Sequence, residues 1–201
     1  MGKSRQKKSE RTRLFIIEKA APVFNKKGFF GTSLQDITEV TGLTKGGIYG
    51  NFHDKEELAL AAFEYNSSQI LQHIKPLVLS DDSAPDKILA ITDFYRKYLY
   101  QPALSGGCPF LNTATESDDT HPELRDIAMR SFDYIHRCFV YIINQGKTNG
   151  EFQQHIDTER YATVFLAMIE GGIMQTKLYS KSKYLLDCLQ QIDLMVEDIR
   201  L

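Results

Sequence analysis

The stretch most able to do chemistry is Thr41-Gly-Leu-Thr-Lys-Gly-Gly-Ile-Tyr-Gly-Asn-Phe52. Thr44 offers a hydroxyl and Lys45 an ammonium, and Gly46 and Gly47 follow directly. Hydroxyl, ammonium and backbone N–H groups at a helix start are all donors suited to phosphate oxygens. Each helical glycine costs about 1 kcal/mol against Ala, so two in succession need a compensating use. Missing side chains let a backbone come close to another surface. Catalytic alternatives are absent from the sequence: it has no HExxH, no phosphate loop and no nucleophile–base pairing. "ESDDTHPE", residues 116–123, gathers acids around one histidine, but its loop spacing reads as a solvated turn rather than a metal site. Cys108, Cys138 and Cys188 are odd in number and form no CxxC pair, which argues against a disulfide framework or zinc knuckle. No cofactor and no metal are expected, and the chain does not read as an enzyme.

Charge places the suggestive stretch in a distinctive region. Net charge is −2 over 201 residues, but residues 1–60 carry 11 Lys/Arg against 7 Asp/Glu, a net +4. The remainder carries 13 against 19, a net −6. A basic head on an acidic body predicts that only the head meets a polyanion, although charge alone also fits a solvated basic tail. No apolar run approaches the ~20 residues of a membrane span, and no secretory pattern opens the chain. A cytoplasmic protein with no membrane partner is expected.

The elements that must position these residues read as helices almost throughout. A first helix over about 9–27 sets Leu14, Ile17, Ala21 and Phe24 on one face. Gly28 is its expected C-cap, and Pro22 should bend it. A second helix starts after Thr32 or Ser33. Asp36 at N3 of a Ser33 cap would be a weaker relative of the capping box. Its expected buried stripe is Leu34, Ile37 and Val40, and Gly42 breaks it. The third helix starts near Thr44, itself a good N-cap, and ends near Asn51. A fourth begins at Asp54 and is expected to stop before Pro76. Further helices are expected over 84–101, 109–118, 122–148, 157–179 and 182–200. The stripe Phe132, Ile135, Phe139, Ile142 with Ile143, and the stripe Leu185, Leu189, Ile192, Met195 or Val196, Ile199, keep the helical period over several turns. The fold class is therefore all-α with about nine helices.

Two short helices joined by a Gly-containing turn fit a helix-turn-helix, whose second helix lies in the major groove; a ligand-free helical hairpin has the same spacing. The stretch "GFFGTSLQDITEVTGLTKGGIYGNFHDKEELALAAF" resembles the DNA-binding head of the tetracycline-repressor (TetR/AcrR) family. The resemblance rests on the aromatic after Gly28, Thr32-Ser33, Ile37, Gly42-Leu43-Thr44-Lys45-Gly46, Ile48-Tyr49, Phe52 and Lys55-Glu56 with Leu58. It implies a three-helix helix-turn-helix head at 1–54 and a ligand-binding and dimerisation body at 55–201. It also implies a homodimeric regulator, usually a repressor, released from a palindromic double-stranded operator by a small-molecule effector. Carried over by residue, Thr32, Ser33, Gln35, Thr44, Lys45, Gly46, Gly47, Tyr49, Asn51 and Lys55 would face DNA, and Ile48 and Phe52 would be core. Gly50 and Asn51 depart from the bulkier aromatic or His residues frequent there, although Asn51 could contact adenine in bidentate fashion.

The body is rich in aromatics, which fill a core as readily as they line a pocket. Phe94, Tyr98, Cys108, Phe110, His136 and Phe139 are the candidate effector-binding residues. Cys108 follows Gly106-Gly107 and precedes Pro109 near a predicted helix start, where the dipole favours thiolate. An alternative reading is a redox- or electrophile-sensing regulator acting through Cys108; a small packed residue is the other. The last two helices are expected to form the dimer interface, with Ala167, Gly171, Gly172 and Met174 placed for close packing.

Overall fold

The computed structural model describes residues 2–98 and 106–201, with side chains from 9–97 and 106–201. Among them are nine α-helices and no strand: α1 (Gly2–Gly31), α2 (Leu34–Thr41), α3 (Lys45–Tyr49), α4 (Lys55–Leu79), α5 (Ala84–Tyr98), α6 (Pro109–Ser117), α7 (Pro122–Thr148), α8 (Thr158–Tyr179) and α9 (Lys183–Ile199). Two compact units result. A head unit comprises Met1–Gln69 with Ala103–Asp126, and a body unit comprises Ile70–Pro102 with Ile127–Leu201. The head unit thus extends past residue 54 and takes in α6.

The head core joins Ile16, Ala20, Ala21 and Phe24 of α1 to Ile37, Ile48, Phe52, Leu58, Ala59 and Ala62. Full burial of each larger aliphatic contributes about 1.5–3 kcal/mol before entropy is counted. Of the expected α1 stripe, Ala21 and Phe24 are buried and Ile17 packs half-buried on the core, but Leu14 is 50 % exposed, and Ile16 and Ala20 join the inward face. Likewise Val40 of α2 is exposed, while Thr41 is buried and returns its hydroxyl to the Ile37 carbonyl at 2.7 Å. Alternative stripes one residue apart have similar periodicity, and the neighbour's position selects between them. α1 carries its break at Gly28, with φ 74 and ψ 176, where the sequence predicts a cap, but a further turn to Gly31 follows it.

In the body unit, α8 packs on α9 and α9 on α5. Leu185, Leu189, Ile192, Val196 and Ile199 form the buried face of α9, so Val196 rather than Met195 completes the stripe. Ile135, Phe139, Ile142 and Ile143 are buried on α7, and Phe139 meets Phe165 edge-on at 5.8 Å. Arg96 of α5 pairs with Asp193 of α9, whose other oxygen accepts from the Thr92 hydroxyl at 2.8 Å. The expected stop before Pro76 does not occur, since α4 continues to Leu79. Proline removes one helical donor, but burial of Ile74 and Val78 on either side holds the helix together. No described helix is long and apolar enough to cross a membrane.

Candidate nucleic-acid interface

The two short helices are held by local chemistry written in their own residues. Ser33 caps α2 with a complete capping box: its hydroxyl accepts from the Asp36 N–H, and the Asp36 carboxylate accepts from the Ser33 N–H at 2.8 Å. The Lys27 ammonium, then the Ser33 N–H and hydroxyl, hold Asp36 down to about 2. Gly42 ends α2 in the left-handed region at φ 67 and donates its N–H to the Thr38 carbonyl at 2.9 Å. Thr44 then caps α3, accepting from the Gly47 N–H at 3.2 Å. Replacing such a cap by Ala costs about 1 kcal/mol.

This leaves Thr44, Lys45 and Gly46 exposed at the front of α3, Gly47 half-buried behind them, and Tyr49 47 % exposed. Ile48 and Phe52 are buried as core. The glycines at 46 and 47 are not required by the head's own packing. Both lie inside α3 without positive φ, and a Cβ at either would make only ordinary contacts, 3.9 Å from Thr44 Oγ1 and 3.5 Å from Leu43 Cβ. Gly50 differs, because a Cβ there would sit 3.1 Å from the Gly46 carbonyl oxygen. A side chain at Gly50 would be crowded by its own helix, whereas one at Gly46 or Gly47 would not.

Several residues expected on the DNA face also have partners within the head. Thr32 is buried and donates its hydroxyl to the Gly28 carbonyl at 2.6 Å. Ser33 is occupied by its cap. Asn51 turns its amide back to the Gly47 carbonyl at 2.9 Å, at the end of α3. Lys55 is half-buried with Nζ 4.4 Å over the Phe29 ring, and burial lowers its pKa, with Glu116 opposing. Gln35 stays on the surface, beside Glu39 at 3.0 Å. Arg13, which the sequence offers only as one more basic residue, is a staple. It donates to the Asn51 carbonyl at 2.5 Å and to Glu57 at 2.8 Å, and its guanidinium lies 4.0 Å over the Phe52 ring. No spacing rule signals this, because its partners are about 40 residues away.

The candidate effector residues fall into both units. Phe110 is fully buried, edge-on to Phe63 at 6.2 Å, and Cys108 is the α6 N-cap at 1 % exposure. In the body unit, Phe94 stacks on His73 at 5.4 Å, Phe139 is core, and His136 approaches the Thr163 hydroxyl at 3.1 Å. Tyr98 closes α5, and its side chain lies outside the described residues. An open groove of about 490 Å³ in the body unit is lined by other residues: His155, Ile156, Asp157, Arg160, Tyr161, Val164 and Met195. Near the acidic turn, His121 is buried. Glu56 approaches its Nε2 at 3.7 Å and Glu123 its Nδ1 at 3.6 Å, and all three offer ligand atoms within 4.8 Å of one another. Nδ1 also accepts the Leu124 N–H at 3.4 Å, which makes His121 a cap for α7.

Comparison with known proteins agrees with the geometry. Residues 16–62 match the family described as "Bacterial regulatory proteins, tetR family", and residues 84–192 match "Tetracyclin repressor-like, C-terminal domain". The HTH-type transcriptional regulator AcrR of Shigella flexneri is 33 % identical over 194 residues, covering 92 % of this chain and 86 % of that protein. A TetR-family regulator from Cytophaga hutchinsonii has a TM-score of 0.87 at 37 % identity, covering 96 % of this chain and 97 % of its own. A second solved structure, a TetR transcriptional regulator from Chloroflexus aurantiacus, has a TM-score of 0.91 at 35 % identity, covering 97 % and 99 %. A capped pair of short helices in a basic head, carried by an all-helical chain similar to these regulators over nearly its full length, makes this chain a member of the TetR family of DNA-binding transcriptional regulators.

Proposed function

We propose that the protein is a homodimeric repressor that binds a palindromic operator through α3 and leaves it when a small molecule binds the body. The observation that carries the reading is the pair Gly46-Gly47. They weaken α3 and answer to no contact within the head, which fits a backbone that must approach an external surface. Thr44 and Lys45 beside them are exposed donors for phosphate, and Gln35 and Tyr49 are exposed nearby. Thr32, Ser33, Asn51 and Lys55 then support the interface from behind.

For the dimer, exposed Ala167, Met174 and Leu178 and half-buried Gly171 form a small-and-apolar stripe on α8 at helical spacing, suited to a symmetry mate. A two-fold axis there would set the half-site spacing of a palindrome. The test is a gel shift with the full chain on DNA from its own upstream region. Binding that requires both half-sites, and weakens with an effector, is expected; a dimeric protein that binds no DNA at low salt overturns the reading.

Covalent sensing through Cys108 is the second reading. Its place at the N-cap of α6 favours it, but at 1 % exposure the thiol meets an oxidant only when the surrounding packing opens. Equal release of wild type and Cys108→Ser from DNA by an aldehyde or hypochlorite removes this reading.

A further inference from the structure

The turn between α1 and α2 is spliced together by a third helix. At Gly28 the backbone leaves the helix, with φ 74 and ψ 176. In an unbroken helix the Phe29 N–H would donate to the Asn25 carbonyl. Here the two halves of that bond are taken up by α6. Glu116 accepts from the Phe29 N–H at 2.7 Å and from the Phe30 N–H at 2.9 Å. Asn112 donates to the Asn25 carbonyl at 2.9 Å and to the Gly106 carbonyl at 2.8 Å. Asn25 in turn donates to the Gly107 carbonyl at 3.0 Å. Residues 112 and 116 are one helical turn apart, so one face of α6 supplies both a donor and an acceptor.

Space at the splice is tight. A Cβ at Gly28 would lie 2.4 Å from a Glu116 carboxylate oxygen, and one at Gly106 would lie 2.7 Å from the Asn25 amide. The Phe29 ring is also gripped, by Lys55 at 4.4 Å and by His121 edge-on at 4.8 Å. The Thr32 hydroxyl then returns to the Gly28 carbonyl, and Ser33 begins α2. The carboxylate thus stands four residues before the cap of the helix-turn-helix.

We infer that Glu116 is a positioning residue for DNA binding: from α6 it fixes the direction in which α2 leaves α1, and so the pose of α3. The inference rests on the operator-binding reading above. Glu116 acts through the Phe29 and Phe30 amides and touches no DNA itself.

The test uses the full-length protein and operator DNA. Glu116→Ala should weaken operator affinity about tenfold, as expected when two charge-assisted hydrogen bonds are lost. Glu116→Gln, which keeps one carbonyl acceptor, should recover part of that loss. The slope of log affinity against log salt should stay at its wild-type value, because no phosphate contact is removed. Gly28→Ala should weaken binding too, and the double variant with Glu116→Ala should be less than additive, since both act at one contact.

Wild-type affinity in Glu116→Ala, or a loss accompanied by a changed salt slope, overturns the inference while leaving operator binding intact. Amide exchange gives a second readout that needs no DNA. Glu116→Ala should expose the Phe29 and Phe30 amides and speed exchange in α2 and α3, with the α1 and α4 core amides unchanged. Unchanged α2 and α3 protection overturns the positioning role even if wild type binds no operator, and exchange accelerated throughout the head reduces Glu116 to a fold-stabilising residue.

Discussion

Two pairs of adjacent glycines, Gly46-Gly47 in the head and Gly171-Gly172 in the body, look alike in sequence and differ in space. Both lie inside helices. Neither Gly46 nor Gly47 meets anything that forbids a side chain. In the second pair the two residues divide: a Cβ at Gly171 would have nothing within 4 Å, whereas one at Gly172 would lie 2.9 Å from both Cα and Cδ1 of Leu185. Gly172 is needed by the α8–α9 contact within the chain, and Gly171 is not. A glycine that its own fold does not require is a pointer to an outside surface. In the head that surface is proposed to be DNA, and in the body a second copy of the chain.

Substitutions at these positions break or sharpen that contrast. The largest effect is expected at Gly172. Gly172→Ala must push α9 away and should cost about 1–3 kcal/mol of stability, read as a lower melting temperature or denaturant midpoint. Gly171→Ala should instead hold or raise stability by up to about 1 kcal/mol. Equal losses at both would mean that the two glycines are equally demanded by the fold.

Next, Gly46→Leu and Gly47→Leu should leave the head folded, as followed by circular dichroism, and reduce operator affinity at least about tenfold, a loss of ~1.4 kcal/mol in binding. Retained affinity would mean that the backbone of α3 does not approach DNA closely. Gly171→Leu should shift the monomer–dimer equilibrium in sedimentation with little change in the monomer's helicity. Lys45→Ala should weaken binding on every sequence and lower the salt slope by about 1, the signature of one lost phosphate contact.

The smallest effect is a pH dependence. Asp36 is held at about 2 in the folded head against an ordinary 3.8. A depressed carboxyl stabilises the folded state above its unfolded value and stops doing so as pH falls through its folded value. Thermal stability should therefore decline between about pH 4 and pH 2, and Asp36→Asn should flatten that decline.

The legible parts of this protein share a cause. Capping and turn chemistry are local, so Ser33 with Asp36, Gly42 and Thr44 could be read from neighbours a few residues away. The same holds for the long stripes of α7 and α9, where the periodic signal runs over several turns. Errors arose where the deciding partner is distant in sequence. Leu14 and Val40 fit a periodic face but point outward, because the adjoining stripe meets the rest of the head core. Pro76 reads as a stop, and burial around it carries α4 onward. At the candidate site, the internal partners of Thr32, Asn51 and Lys55 (the Gly28 and Gly47 carbonyls and the Phe29 ring) were not read from the sequence, although the first two lie only four residues away.

The sequence by itself determined an all-helical chain, the caps that delimit α2 and α3, the basic head and the resemblance that led to the family. Each of these depends on composition or on residues within a turn or two of one another. Only the tertiary structure decided which glycines are free of internal demands, that Arg13 staples α1 to the end of α3 and the start of α4, and that α6 splices the α1–α2 turn through Asn112 and Glu116. The last two outcomes depend on groups about 40 to 90 residues apart, and no local pattern encodes which distant side chain will arrive.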